Sequence, residues 1–564
     1  MAQPILTPIS LWKDFDDSLE PEVEILSERE KDGVIYRETA ISGRQTEKGR
    51  VRIYGVEVRP VGEESLPAVL LLNGANRAPD LRLAEYFARR GYCVFGMDYR
   101  GETTEGARCT KYPEDIDYAN FIRSGRRVLH ADEGAMKTSW YEWTAAAIYA
   151  VKYLKNLPYV TSVGAIGVRE GGEIVWKLMT VVSLACGVCI NAAGWLAQRG
   201  TYKFGEDAAA DMAEEQRLFI AGIDSQSYAP FVKCPVLMLV AVTDEFVDAD
   251  KAYDTYKRIN KDQFSTVYYS IGYGGSIDKN GMKDADMFMD KYLKDRGIFI
   301  AAPIHISFEE NGDDALCAVI SSDGQGESVF SEMYFAEDER DAYRREWIKC
   351  AEGNTLEDGK ISFDLPIYKN AETAFAFGRS EYSSGFTVSS RIASKKIEKQ
   401  YKNSLPHSNI LYDSHTNSDV FVPVDYSDDI LGGCFKTKNG NEPTRAEGYG
   451  KIIGTTCAGG LKTYRVAQRR YAPEERAMLH FSVYGEKDCE LNVSVTLKAP
   501  EGIHERYTTK ISFSGGGKWK NFVLPAHNFK SETGTPLENF CNCHTLQFIE
   551  ANNHVFIINN ILWI

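Results

Sequence analysis

The chain has 564 residues, roughly three to four times the ~150 of a typical domain, so several separate cores are expected. Apolar residues make up 43% and charged residues 26%, which excludes the disordered and collagenous classes. Acidic residues outnumber basic ones 80 to 65, a net charge of -15 that argues against a nucleic-acid partner unless one face is locally basic.

The opening segment, MAQPILTPISLWKDFDD, lacks the basic-then-apolar order of a leader, and no stretch approaches the ~18 continuous apolar residues of a spanning helix. A cytoplasmic protein with no membrane partner is expected. The twelve cysteines are scattered without dense spacing, as reduced core residues are, rather than arranged as a disulfide framework.

In chain order, the first 300 residues alternate short apolar runs with amphipathic stretches. Strands are expected over Val51–Val58, Ala68–Leu72, Tyr92–Asp98, Ser162–Ile166, Gly187–Asn191, Val236–Val240 and Thr266–Ile271. Several of them are apolar throughout, as parallel strands covered on both faces are. Helices are expected over Asp80–Arg90, Trp140–Leu157, Gly172–Leu184, Asp248–Ile259 and Met282–Lys294, giving a β-α-β-α order. From about residue 303 the pattern changes to short alternating segments between Gly, Asn, Asp and Ser, such as Lys360–Leu365 and Gly385–Ile392. Those segments predict antiparallel sandwiches. Ala393–Leu405, ASKKIEKQYKNSL, is the most linker-like stretch.

One turn carries most of the chemistry. In SVGAIGVREGGEIVW a buried strand enters Gly167, a helix leaves from Gly172, and glycines flank Arg169 and Glu170. That is the layout of a G-x-S-x-G elbow, in which a strained turn presents a nucleophile above a sheet. With LLLNGAN, MDYRGE, SWYEWTAAAIYAVKYL and CPVLMLVAVTDEFVD, residues 50–297 resemble the α/β-hydrolase superfamily, in particular its dienelactone hydrolase and acetylxylan esterase branch.

The resemblance implies a mostly parallel sheet with helices on both faces. It places the triad acid at Asp244 and the oxyanion donors at Gly74, Ala75, Asn76 and the residue after the nucleophile, Glu170. The sequence departs from the family where the chemistry is most exacting. Arg169 holds the nucleophile position, and in Tyr273-Gly-Gly275-Ser-Ile-Asp278 Gly275 holds the histidine position. A guanidinium can neither attack a carbonyl nor accept a proton at neutral pH, and glycine offers no base. His130 and His305 are the histidines that could visit from elsewhere.

The candidate catalytic residues are therefore Arg169, Glu170 and Asp244, and the candidate ligand-binding residues are Gly74, Ala75, Asn76 and Arg169. A structural ion pair between Arg169 and Asp244 competes with an anion site at the helix N-terminus. Cys186 and Cys189 lie on one strand at an odd separation, which points them to opposite faces. Cys541-Asn-Cys543-His544 is the only metal-like cluster considered, with no second ligand pair of recognisable spacing. No metal and no cofactor are expected. Trp140, Tyr141 and Trp143 either line a pocket or pack in the core. The C-terminal residues resemble galactose-binding-like jelly rolls through KWKNFVLPAHNFKSETGTPLENF and HTLQFIEANNHVFIINNILWI, with Trp519, Phe529 and Trp563 at core positions of that framework. Trp347 and Tyr382-Ser-Ser-Gly give the middle region a generic sandwich pattern.

The expected organisation is an α/β-hydrolase-like domain at 1–302, a β-sandwich module with linker at 303–407 and a jelly roll at 408–564. Three functions compete: a divergent, non-hydrolytic member that recognises a carbohydrate-like or anionic ligand; an active carbohydrate esterase or non-serine acid/base enzyme on glycosides or sugar esters; and a structural or assembly protein. The expected partner is a small-molecule or oligosaccharide ligand, with an oligomer possible.

Overall fold

The computed structural model describes residues 4–75, 77–102, 108–121, 128–129, 131–198, 212–271, 274–322, 324–326, 328–415, 420–424, 443–497 and 505–564. Asn76, His130 and Tyr273 lie outside the described residues.

The N-terminal half is built on one nine-stranded mixed sheet. Its strands are β1 (Val23–Lys31), β2 (Val34–Thr46), β3 (Gly49–Pro60), β4 (Leu66–Leu72), β5 (Cys93–Asp98), β6 (Val160–Val168), β7 (Gly187–Ile190), β8 (Val236–Ala241) and β9 (Ser265–Ser270). The spatial order is β1-β2-β3-β5-β4-β6-β7-β8-β9. β1 to β3 form an antiparallel meander that joins β5 antiparallel, and all pairings from β5 onward are parallel.

Every residue of β4 and β5 is buried, because helices cover both faces. Helices Ser139–Asn156, Glu170–Val181 and Ala249–Tyr256 pack on one face. Leu81–Ala88 and Lys279–Leu293 pack on the other. Cys186 and Cys189 fall into these two opposite layers, and eleven described cysteines are free thiols, buried except for Cys541. Trp140 and Trp143 are core residues. The sequence pattern gave no sign of β1 and β2, because β1 is exposed along almost its whole length and shows no apolar face.

The chain beyond residue 303 is mostly antiparallel sheet. One sheet joins His305–Asn311, Ala315–Ser321, Ile361–Leu365 and Asn354–Thr355; a second joins Ile348–Lys349, Ser328–Glu337, Thr373–Tyr382 and Thr387–Ser389. The expected linker is not one. Ala393–Lys396 pairs antiparallel with Thr373–Tyr382, Tyr401 is buried, and Leu405 donates to the Ile367 carbonyl at 2.8 Å. The lysines of this stretch hid two anchors that its apolar residues provide. From Ile410 to Trp563 two further antiparallel sheets face each other. Phe529 and Trp563 lie in their core. Trp519 does not: it is half-buried over Gly448 and donates to the Tyr449 carbonyl at 3.0 Å.

The two β regions differ in how they relate to the sheet. Most buried apolar residues of 306–401 join the same layer as Leu83, Phe87 and Phe288, with Tyr334, Ala342 and Phe377 joining the other, whereas those of 411–563 form a layer of their own. Among the described residues, no helix is long and apolar enough to cross a membrane.

Candidate functional site

The site residues gather at the C-terminal ends of β6, β8 and β9, where loops of a parallel sheet converge. Arg169 sits between β6 and the helix Glu170–Val181 with φ 51° and ψ -121°. A non-glycine residue held in that region is strained and persists only where its surroundings fix it. The tightness comes from close approach: a Cβ on Gly171 would lie 2.2 Å from the Leu72 carbonyl oxygen. The turn is an elbow in geometry, and it carries an arginine.

The arginine is not presented to solvent. It is 7% exposed, and its Nη2 donates to Asp244 Oδ2 at 2.8 Å, while Asp244 is 1% exposed. The guanidinium carbon also lies 4.2 Å from the centre of the Phe246 ring, a cation–π contact strengthened by desolvation. Asp244 is fixed in turn, because its Oδ1 accepts from the backbone N–H of Phe246 (2.6 Å) and of Val247 (3.1 Å).

Gly275 completes the arrangement. A Cβ at this position would stand 2.3 Å from Asp244 Oδ2, 2.7 Å from Arg169 Nη2 and 3.2 Å from Asn191 Nδ2. The long Arg169 side chain thus reaches across to the 275 position, and only a residue without a side chain leaves it room. Asn191, which sequence reasoning passed over, ties the loops together: its Nδ2 donates to the Gly275 carbonyl (2.6 Å) and its Oδ1 accepts from Ala241 N–H (2.8 Å). Its position directly after β7 was the available signal.

One of the backbone donors expected for an oxyanion is also engaged. The Ala75 N–H donates to Glu170 Oε2 at 3.0 Å, so a carboxylate of the chain occupies that donor. Gly74 accepts from Arg77 N–H at 3.1 Å. His305 opens an exposed strand of the middle region.

Beneath the elbow, the same helix carries Glu173 and Lys177, both almost fully buried. Burial pushes the Glu173 carboxyl up to about 7, against the pull of Lys177, and pushes Lys177 down to about 8. Glu173 Oε1 accepts from Gly194 N–H at 3.0 Å, and Lys177 Nζ donates to the Glu173 carbonyl at 2.9 Å.

The metal-like cluster at the C-terminus does not assemble. Cys543 and His544 are buried and Cys541 is half-buried. Among the described residues, the ligand-type atoms that lie within 4.8 Å of one another are those of Cys489, Glu550 and His554. Glu550 there accepts backbone N–H groups of Glu490 (3.2 Å), Asn552 (2.7 Å) and His554 (2.7 Å), which accounts for it as a loop anchor.

No protein-family model matches the chain, and no curated protein matches it. Among solved structures, it is similar to acetyl xylan esterase 1 from Thermoanaerobacterium sp. (17% identity, TM-score 0.40, covering 50% of this chain and 92% of that one). It is also similar to an acetyl xylan esterase from Paenibacillus sp. R4 (15%, 0.39, 51% and 92%) and to an esterase from Pyrococcus furiosus (16%, 0.33, 50% and 98%). Each likeness spans about half of this chain.

Proposed function

We propose that residues 1–302 form an α/β-hydrolase domain whose catalytic centre has become a structural clasp, followed by a β-sandwich at 303–407 and a jelly roll at 408–564. On this reading the protein is a cytoplasmic, non-hydrolytic member of an esterase lineage, and it recognises a carbohydrate-like or anionic ligand instead of cleaving esters. The observation that carries the reading is the 2.8 Å contact between Arg169 and Asp244, with Gly275 leaving the guanidinium its space. Serine-type acyl transfer needs a nucleophile, a base and free oxyanion donors. Here an arginine paired with the acid stands in the first place, a glycine in the second, and one donor of the third, the Ala75 N–H, is held by Glu170.

Incubation with a fluorophosphonate probe and with aryl acetates tests this. The expected outcome is no stoichiometric serine labelling and no turnover above a weak background. Combining Arg169→Ser with Gly275→His is expected to remain unlabelled as well, because any Cβ at 275 meets Asp244. Stoichiometric labelling of a wild-type serine together with rapid turnover would overturn the reading.

A further inference from the structure

The room that the elbow lacks opens one residue away. Thr243 and Gly274, the chain neighbours of Asp244 and Gly275, line a cavity of about 860 Å³ whose other walls come from both β regions. Its size falls within the ~300–1,000 Å³ typical of small-ligand sites.

The wall is rich in cations, most of them already paired. Five arginines and Lys349 face three carboxylates, Asp278, Glu346 and Asp413, while the whole chain carries -15. Some of these cations are framework. Arg345 grips Asp250 through two bonds of 2.6 and 2.9 Å, Arg379 holds Asp278 at 3.0 Å and the Tyr334 hydroxyl at 2.7 Å, and Arg465 donates to Glu346 at 2.8 Å. These pairs fix the positions of the walls.

Two donors differ from them. Among the described residues the Arg470 guanidinium closes no ion pair; its Nε is buried without a hydrogen-bond partner, and its Cζ lies 5.3 Å from the centre of the Tyr471 ring. Among the described residues the indole Nε1 of Trp347 is likewise buried without a partner, while its ring packs edge-on against Phe377 at 4.9 Å. A buried donor left unsatisfied is destabilising, which a ligand acceptor would relieve. Tyr343, Tyr464 and Tyr471 add aromatic surface to the same wall.

We infer that this junction cavity binds a short acidic oligosaccharide whose sugar units carry carboxylate groups. A carboxylate satisfies Arg470, and a ring or hydroxyl oxygen accepts from Trp347. The apolar faces of the sugar rings lie on the tyrosines. Sugar hydroxyls donate to Asp278, Glu346 and Asp413. A bare polyphosphate offers acceptors only, whereas a sugar acid brings a carboxylate for Arg470 together with hydroxyl donors for the wall carboxylates. The inference rests on the reading that the elbow is not the working site. It fails separately: serine labelling would defeat that reading and leave the cavity result untouched.

Calorimetry on the full chain tests it, with trigalacturonate and its fully methyl-esterified form at low and high salt. The acid is expected to bind about tenfold or more tighter than the ester, as loss of a charge-assisted hydrogen bond implies, and high salt should narrow the gap. Arg470→Gln should reduce the acid to the level of the ester, with Arg470→Lys intermediate. Trp347→Phe, which keeps the ring and removes the N–H, should weaken both. Arg469→Gln is the control, because Arg469 is half-exposed, pairs with Glu372 at 2.8 Å and is not part of the wall. A thermal midpoint for each variant excludes misfolding. Absence of binding by either trisaccharide, equal affinity for acid and ester, an equal loss in the Arg469→Gln control, or tighter binding of ADP would overturn the proposal.

Discussion

The elbow and the junction cavity share two loops and differ in what fills them. Asp244 and Gly275 face the elbow, where a guanidinium, a carboxylate and an aromatic ring leave no space for even one added carbon. Thr243 and Gly274 face a cavity of about 860 Å³. The contrast teaches that an elbow turn can be filled by its own side chains while the loops that frame it keep open space on their other side. It also separates two uses of arginine: Arg169 is buried against its partner, whereas Arg470 keeps its guanidinium outside any ion pair among the described residues.

Three perturbations sharpen that contrast. The largest effect is expected from Asp244→Ala, which strands a buried guanidinium. Breaking a buried pair from one side costs about 3–5 kcal/mol, readable as a lower urea midpoint with an unchanged slope. Gly275→Ala comes next. Its Cβ lies within 2.3 Å of Asp244 Oδ2 and 2.7 Å of Arg169 Nη2, and overpacking of this kind costs about 1–3 kcal/mol. Were Gly275→Ala neutral in urea, the loop would be loose and the elbow not filled.

The smallest effect is a pH dependence from beneath the elbow. The Glu173 carboxyl is raised from the ordinary 4.5 to about 7 in the folded protein. The folded state therefore holds a proton that the unfolded chain releases. The contribution of Glu173 is complete below about pH 4.5 and is lost as pH climbs through about 7. Thermal midpoints should decline over that window in the wild type and decline less in Glu173→Gln. A steeper decline in the variant would contradict the assignment.

Much of the N-terminal half was legible because its physics is local. β4, β5, β7 and β8 are buried on both faces and read as unbroken apolar runs, and the strand–glycine–helix grammar of the elbow stands within fifteen residues. The identities of Arg169, Asp244 and Gly275 were legible too, but their fit was not, since it depends on three loops meeting within 3 Å. β1 escaped notice because an exposed edge strand needs no apolar stripe. The strand Ala393–Lys396 reads as a linker because its lysines mask its buried Ala393. The junction cavity was beyond reach: Thr243, Trp347 and Arg470 are separated by more than a hundred residues, and no periodicity connects them.

The measurement closest to the central claim is a double-mutant cycle on stability with Arg169→Met, Asp244→Leu and the two combined. If the pair is a buried clasp, each single change leaves one charge alone in the interior and the double change leaves none. The double variant should then lose clearly less than the sum of the singles, with a coupling of about 2 kcal/mol or more in magnitude. Additivity within about 0.5 kcal/mol would mean that Arg169 and Asp244 do not hold each other, and the account of the elbow as a clasp would be wrong.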